Sequence, residues 1–475
     1  MKTIIEQIKK DTGNSPDIII RNIKINNQDI PMIFSETLSS SISINDFILK
    51  SLSNLNINQN STTNIKEELL KILSATNVLE ITTYKEILDL MYKGFTILLI
   101  EKNKYLAIET KGFIDRSIQT PESESSVTGP KDAFTENFNI NMGLIRKRLR
   151  TNNLFLEKFI VGKQSETFVG ICYMNNIVDQ ALINKIKEEL KQINIDGVID
   201  SSYIRKQLIK KDSLFPVINS TERPDLISQA LLEGKVAIIV DNSPYVLIIP
   251  SFFIDFFHTP DDYYQKPINI TFIRIIRLLA FIIAIFLPAF YISVTTHNPS
   301  SIPIDILINF ASQRMNVPFP AFIEAILMIL SFEILRESDT RIPSKMGTSV
   351  SILGGLVLGE AAVSAGIISP IMIIVIAISA ISGLAFTNMA LIYSIRYYRI
   401  IATIISAFFG IYGMFISLML LITKLCSIDS FGYPYMAPFC PIIKSELKDS
   451  IIKTKQKNKS YRNPLLAKKN IVRSK

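Results

Sequence analysis

Three glutamates stand in stretches where a carboxylate is out of place. Glu324 and Glu333 lie in the apolar run that starts at Pro318, and Glu360 is the single charged residue between Thr348 and Ile395. An ionised group at the centre of a bilayer costs at least about 2.5 kcal/mol unless it is paired or wet, so such positions mark ion paths, proton relays or interhelical contacts. Glu360 has two readings. It forms a ring of carboxylates along a cation path if copies assemble, or it is a neutral, buried glutamate bonded between helices. Glu324 and Glu333 are nine residues apart (333 − 324), two and a half helical turns, and so face opposite ways. Glu333 with Arg336, Glu337 and Arg341 reads as an interfacial ion-pair cluster that could couple the two halves of the chain. Asn388 is placed to close an interhelical hydrogen bond or to line the path.

Other chemistries lack their residues. No P-loop, H-E-x-x-H or G-x-S-x-G occurs, and no cysteine pairs with histidine in the sequence, so an enzyme is not expected. Cys172, Cys426 and Cys440, with only His258 and His297 to assist them, make neither a zinc site nor a disulfide framework. No cofactor is expected.

The elements carrying these residues fall into two regimes. Hydrophobic residues are 48% of the 475 and charged residues 20%, with a mean hydropathy of +0.30. The polar positions concentrate before about Ile268, whereas long apolar runs fill Phe272 to Lys424. The formal charge of +9 owes much to the tail beyond Lys444, so an anionic lipid surface, not nucleic acid, is its natural partner. The start, MKTIIEQIKKDTGN, lacks a secretory core, which keeps the head cytosolic.

Within the head, YKEILDLMYKGFTILLIEKNKYLAIETKGFID from Tyr84 and ISQALLEGKVAIIVDNSPYVLIIPSFFID from Ile227 align without a gap. Each is a helix ending at a glycine, Gly94 or Gly234, followed by a strand, a polar turn and a second strand. The glycine-to-tyrosine spacing is 11 in both (105 − 94 and 245 − 234). The expected fold is therefore an α/β cytosolic head of two related subdomains, then an all-α transmembrane bundle of four or five apolar segments, then a basic tail. The boundaries are a variable helical segment over 1–80, subdomains over 81–165 and 166–268, the bundle over 269–425, and an interfacial loop with cytosolic tail over 426–475. Arg146, Arg148 and Arg150 end a helix between the copies, either as a dipole-matched surface or as a phosphate, lipid or subunit contact. Arg274 and Arg277 precede the first apolar segment and should face the cytosol. Pro288, Gly366 and Pro370 are the expected helix breakers. An odd number of crossings would carry the tail's eleven Lys and Arg outside, so an even number is favoured.

These residues resemble a family, the A subunits of GerA-type germinant receptors of endospore formers. The resemblance rests on Pro121 and Glu124 before VTGPKDAFTENFNINMGLIRKRLR, which holds Gly129, Pro130, Phe134, Glu136, Asn141, Arg146 and Arg148. It continues through EILRESDTRIPSKMGTSVSILGGLVLGEAAVSAGIISP and SFGYPYMAPFCP. The family commonly has glutamine where Glu360 stands. The resemblance implies a nutrient-sensing complex of the spore inner membrane, with a nutrient-binding, multi-span B subunit and a lipoprotein C subunit. In it the A subunit self-associates into a ligand-gated ion channel whose opening starts germination. A secondary transporter, which would show repeated membrane halves, and a non-conducting scaffold subunit are the alternatives.

Overall fold

The computed structural model describes residues 2–25, 28–53, 69–70, 72–75, 77–101, 104–112, 120–121, 124, 128–210, 213–341, 357, 359–443, 447, 449–454 and 460–473. Its head contains two five-stranded antiparallel sheets of identical strand order. In the first, β1 (Ile18–Ile25), β2 (Gln28–Ser35), β3 (Val78–Ile81), β4 (Phe95–Glu101) and β5 (Lys104–Glu109) are arranged β1-β2-β4-β5-β3. In the second, β6 (Leu154–Val161), β7 (Thr167–Met174), β8 (Asn219–Thr221), β9 (Val236–Val240) and β10 (Val246–Ile249) repeat that order as β6-β7-β9-β10-β8.

Each closing hairpin is preceded by a helix, α2 (Tyr84–Met91) or α6 (Pro224–Leu232). Gly94 (φ +86°) and Gly234 (φ +92°) then turn the chain in the left-handed region that a Cβ disfavours. Further helices cover the sheets: α1 (Lys2–Asp11), α3 (Phe138–Arg148), α4 (Gln180–Gln192) and α5 (Ser201–Leu208). The strands place the boundaries elsewhere than residues 80 and 165. Residues 1–80 are not a helical preamble, since they supply β1, β2 and β3, and residue 165 lies in the turn of the β6–β7 hairpin.

The helical half holds α7 (Pro267–Ile292), α8 (Ile304–Arg314), α9 (Ala321–Arg341), α10 (Pro370–Ser382) and α11 (Met389–Ser427). The expectation of four or five membrane segments is corrected. Two stretches, Pro267–His297 and Met389–Ser427, are long and apolar enough to cross a bilayer among the described residues. Helix α9 carries Glu324, Glu333, Arg336 and Glu337, and the thirteen residues of α10 reach only about 20 Å against the roughly 30 Å of a hydrocarbon core. Residues 342–356 lie outside the described residues.

Helix α11 is itself two helices. Gly410 has φ 61° and ψ −140° inside it, and a Cβ on Gly413 would stand 2.5 Å from the Ile405 carbonyl oxygen. Residues eight apart in a straight helix are about 12 Å apart, so the chain reverses at Gly410. Both ends accordingly touch the head: Ser394 near the start donates to the Leu214 carbonyl, while Leu421 and Leu425 near the end enter the same core as Ile238 and Phe253. That core runs unbroken from the second sheet into the bundle base, through edge-on contacts of Phe257 with Phe253, Phe281 and Phe386.

Candidate functional site

The chemistry of the chain collects where head, bundle and tail meet. Asp262, almost fully buried, accepts from Arg274 Nε at 3.0 Å and from Arg277 Nη1 at 3.1 and 3.0 Å. Arg277 also donates to the Phe257 carbonyl and the Thr259 hydroxyl, and Arg274 donates to the tail carbonyls of Asp449 and Ser450. These two arginines stand at the head's end of α7, as expected of residues preceding the first apolar segment, but they do not end in solvent. They are buried and spend their donors holding head, first helix and tail together. Burial holds the Asp262 carboxyl against ionisation, but the two guanidiniums prevail and keep it below the ordinary range. His258, beside them, bonds the Ser450 carbonyl at 3.0 Å; burial and then the Arg274 charge push it down to about 4.

Above this knot lies a strap made of the segment singled out in the sequence. Arg223, fully buried, forks onto Asp225 at 3.1 and 2.9 Å and reaches the carbonyls of Glu124 at 3.2 Å and Pro130 at 3.0 Å. Glu124 accepts from the Thr221 hydroxyl, and its backbone N–H donates to Glu222. Burial pushes the Glu124 carboxyl up to about 7. Gly129, at φ +115°, lies against the Tyr264 ring, where a Cβ would come within 2.6 Å. Tyr264 donates to Asp225 at 2.5 Å, and Thr128 donates to Asp261. The strap thus runs from the linker to the residues just before α7.

The remaining motif residues are internal fastenings. Arg146 is fully buried and bidentate on Asp17, at 2.9 Å (Nε–Oδ2) and 3.0 Å (Nη2–Oδ1), with Ser15 and the Leu154 carbonyl taking other donors. Its guanidinium also faces the Tyr92 ring at 5.0 Å. It is neither a solvated face nor a phosphate contact, because it joins the first subdomain to the second. Arg148 pairs with Asp132 at 2.6 Å, and Asn141 closes a loop onto Thr135. Phe134 donates its N–H to the Glu222 carbonyl, the Glu136 carbonyl accepts from Asn242, and Pro121 is half-buried.

In the bundle the glutamates find partners on other helices. Glu324, with no exposed surface, accepts from the N–H and hydroxyl of Ser369 at 2.9 and 2.8 Å and lies 3.4 Å from Arg314. It caps the N-terminus of α10, where Pro370 takes the first helical position. Glu333 pairs with Arg399 at 2.6 Å and Arg396 at 3.2 Å. Two of its partners thus come from α11, and the Arg341 side chain lies outside the described residues. Glu360 is exposed, in a helical stretch over 359–364 that ends before Gly366 at φ +65°. Asn388 caps α11 and donates to Asn219 at 3.0 Å, which puts it at the head junction. Pro288 lies inside α7. Sequence reasoning missed Asp17, Arg223, Asp225, Asp262 and Tyr264, all polar residues of a head whose surface is polar everywhere. The one signal available was a T-E-R-P-D turn placed directly before the second repeat copy.

Fold and junction define a membrane-associated protein with a duplicated α/β head locked onto an apolar helical bundle. Residues 6–465 match the family described as Bacillus/Clostridium GerA spore germination protein, and the chain belongs to that family. It is 38% identical over 455 residues to spore germination protein KA of Bacillus subtilis (strain 168), covering 94% of this chain and 83% of that protein. It is 31% identical over 455 residues to spore germination protein GerLA of Bacillus cereus, covering 95% and 92%. A crystal structure of the N-terminal domain of the A subunit of the Bacillus megaterium spore germinant receptor GerK3 is 30% identical, with a TM-score of 0.40, covering 52% of this chain and 94% of that one.

Proposed function

We propose that this chain is the A subunit of a nutrient-responsive germinant receptor of the spore inner membrane. It works beside a multi-span B subunit that binds the nutrient and a lipoprotein C subunit. Copies of it assemble, in this reading, into an ion channel whose opening starts germination. The observation that carries the reading is the junction. Asp262 ties two arginines of α7 to the head and, through Arg274, to the tail, so that a displacement of the head by a partner is passed to the helices without slack. An open and a closed bundle need differ by only a few kcal/mol for such a bias to switch them.

Glu360 supplies the remaining support. It is exposed on the single chain, where a ring of copies would bring equivalent carboxylates together. The scaffold reading draws on a different observation, that Glu324 and Glu333 are both engaged by arginine and offer no free charge. Ion flux through the purified protein in liposomes separates the two. Flux that survives Glu360→Gln but falls or changes selectivity with Glu360→Leu supports a polar pore position. Flux unchanged in both variants moves the path away from Glu360, and no flux with the B and C subunits present supports the scaffold.

A further inference from the structure

A cavity of about 500 Å3 opens where the head meets the end of α11. Lys185 and Glu189 of α4, Lys210 after α5, and Lys424 and Ile428 at the end of α11 line it. Glu189 is only 8% exposed. Its Oε1 meets Lys210 at 2.9 Å, whereas its Oε2 has no hydrogen-bond partner among the described residues. A buried carboxylate oxygen left bare is costly, so the cavity asks for a donor. Lys185 and Lys424 stand on the same walls, and neither is in an ion pair among the described residues; they ask for an anion. A ligand that meets both demands carries an N–H donor for Glu189 Oε2 and a negative group for the lysines.

The level of the cavity decides the source. Lys424 closes the apolar part of α11, whose Met419, Leu420 and Ile422 side chains are exposed, and a lysine at such an end reaches the headgroup layer of a bilayer. We propose that this cavity is a binding site for the headgroup of an aminophospholipid, with the ammonium of phosphatidylethanolamine on Glu189 Oε2 and its phosphate between Lys185 and Lys424. Choline headgroups have no N–H to give, and glycerol headgroups have hydroxyls but no cation. The site fixes the orientation of the head over the lipid surface and makes the lipid part of the junction.

Native mass spectrometry of the full-length protein with phosphatidylethanolamine, phosphatidylcholine or phosphatidylglycerol added in turn tests this. The wild type should retain phosphatidylethanolamine roughly tenfold better than phosphatidylcholine, the value of one charge-assisted hydrogen bond. Glu189→Gln should bring phosphatidylethanolamine down to the phosphatidylcholine level while leaving phosphatidylglycerol unchanged. Lys424→Ala, an exposed change that cannot unfold the chain, should weaken phosphatidylethanolamine and phosphatidylglycerol alike. Equal retention of the ethanolamine and choline lipids by the wild type, or an unaltered preference in Glu189→Gln, overturns the proposal. Retention of free phosphoethanolamine at the same concentration as the whole lipid overturns the lipid as the source.

Discussion

Arg146 is a guanidinium taken fully out of water, and what it costs is returned only because Asp17 accepts both arms of the fork. Truncating one partner leaves the other charged and buried. Arg146→Leu should therefore lower the unfolding free energy by about 3–5 kcal/mol, whereas Arg146→Leu with Asp17→Leu should recover much of that loss, as read by denaturant or thermal melts in detergent. Arginines at a helix end announced nothing of this, since Asp17 is remote in sequence and the bond exists only once the two subdomains pack. Glu124 allows a second test. Its carboxyl is raised from 4.5 to about 7 by burial, so the folded chain binds a proton that the unfolded chain has released. Its contribution to stability is present below pH 4.5 and is lost as pH rises to about 7. Glu124→Gln should melt with the wild type at pH 4 and above it at pH 8, and a variant that melts with it at both would leave the carboxyl unperturbed.

At the scale of elements, the second half of each subdomain was legible because a helix, a left-handed glycine and a hairpin recur at one spacing. The first half was not. The β1 and β2 strands, IIIRNIKI and QDIPMIFS, share almost no residues with LFLEKFIV and TFVGICYM, and only the sheet order shows them to be counterparts. In the bundle, hydropathy marks α11 as one long span because composition averages over a reversal. The reversal depends on a single residue: a Cβ at Gly410 would come within 2.7 Å of His297 and would sit at a φ, ψ pair that only glycine adopts readily. Gly410→Ala should lower stability by about 1–3 kcal/mol in a thermal melt. Gly383→Ala, at a helical φ with nothing within 4 Å, should be neutral or slightly stabilising.

At the scale of the whole molecule, the tail is packed onto the head. Leu466 and Ala467 are buried in the two head cores, Arg462 donates to the Leu232 carbonyl at 2.9 Å, and Lys468 pairs with Asp179. Head and tail are therefore expected on one side of any bilayer the helices cross, as a tail rich in lysine and arginine also predicts. Helix α8 lies at the other end, since Phe310 meets Tyr291 near the far end of α7 and His297 meets Ala407 next to the reversal. None of its residues is buried. In protein whose exposed Cys426 and Cys440 are replaced by serine, single Gln164→Cys and Lys469→Cys changes should react with an impermeant maleimide from the same face of sealed vesicles. Ser312→Cys should react from the opposite face. Labelling of position 469 from the face opposite position 164 would mean that the tail leaves the head in the membrane, and the Arg462 and Lys468 contacts would then have to be given up.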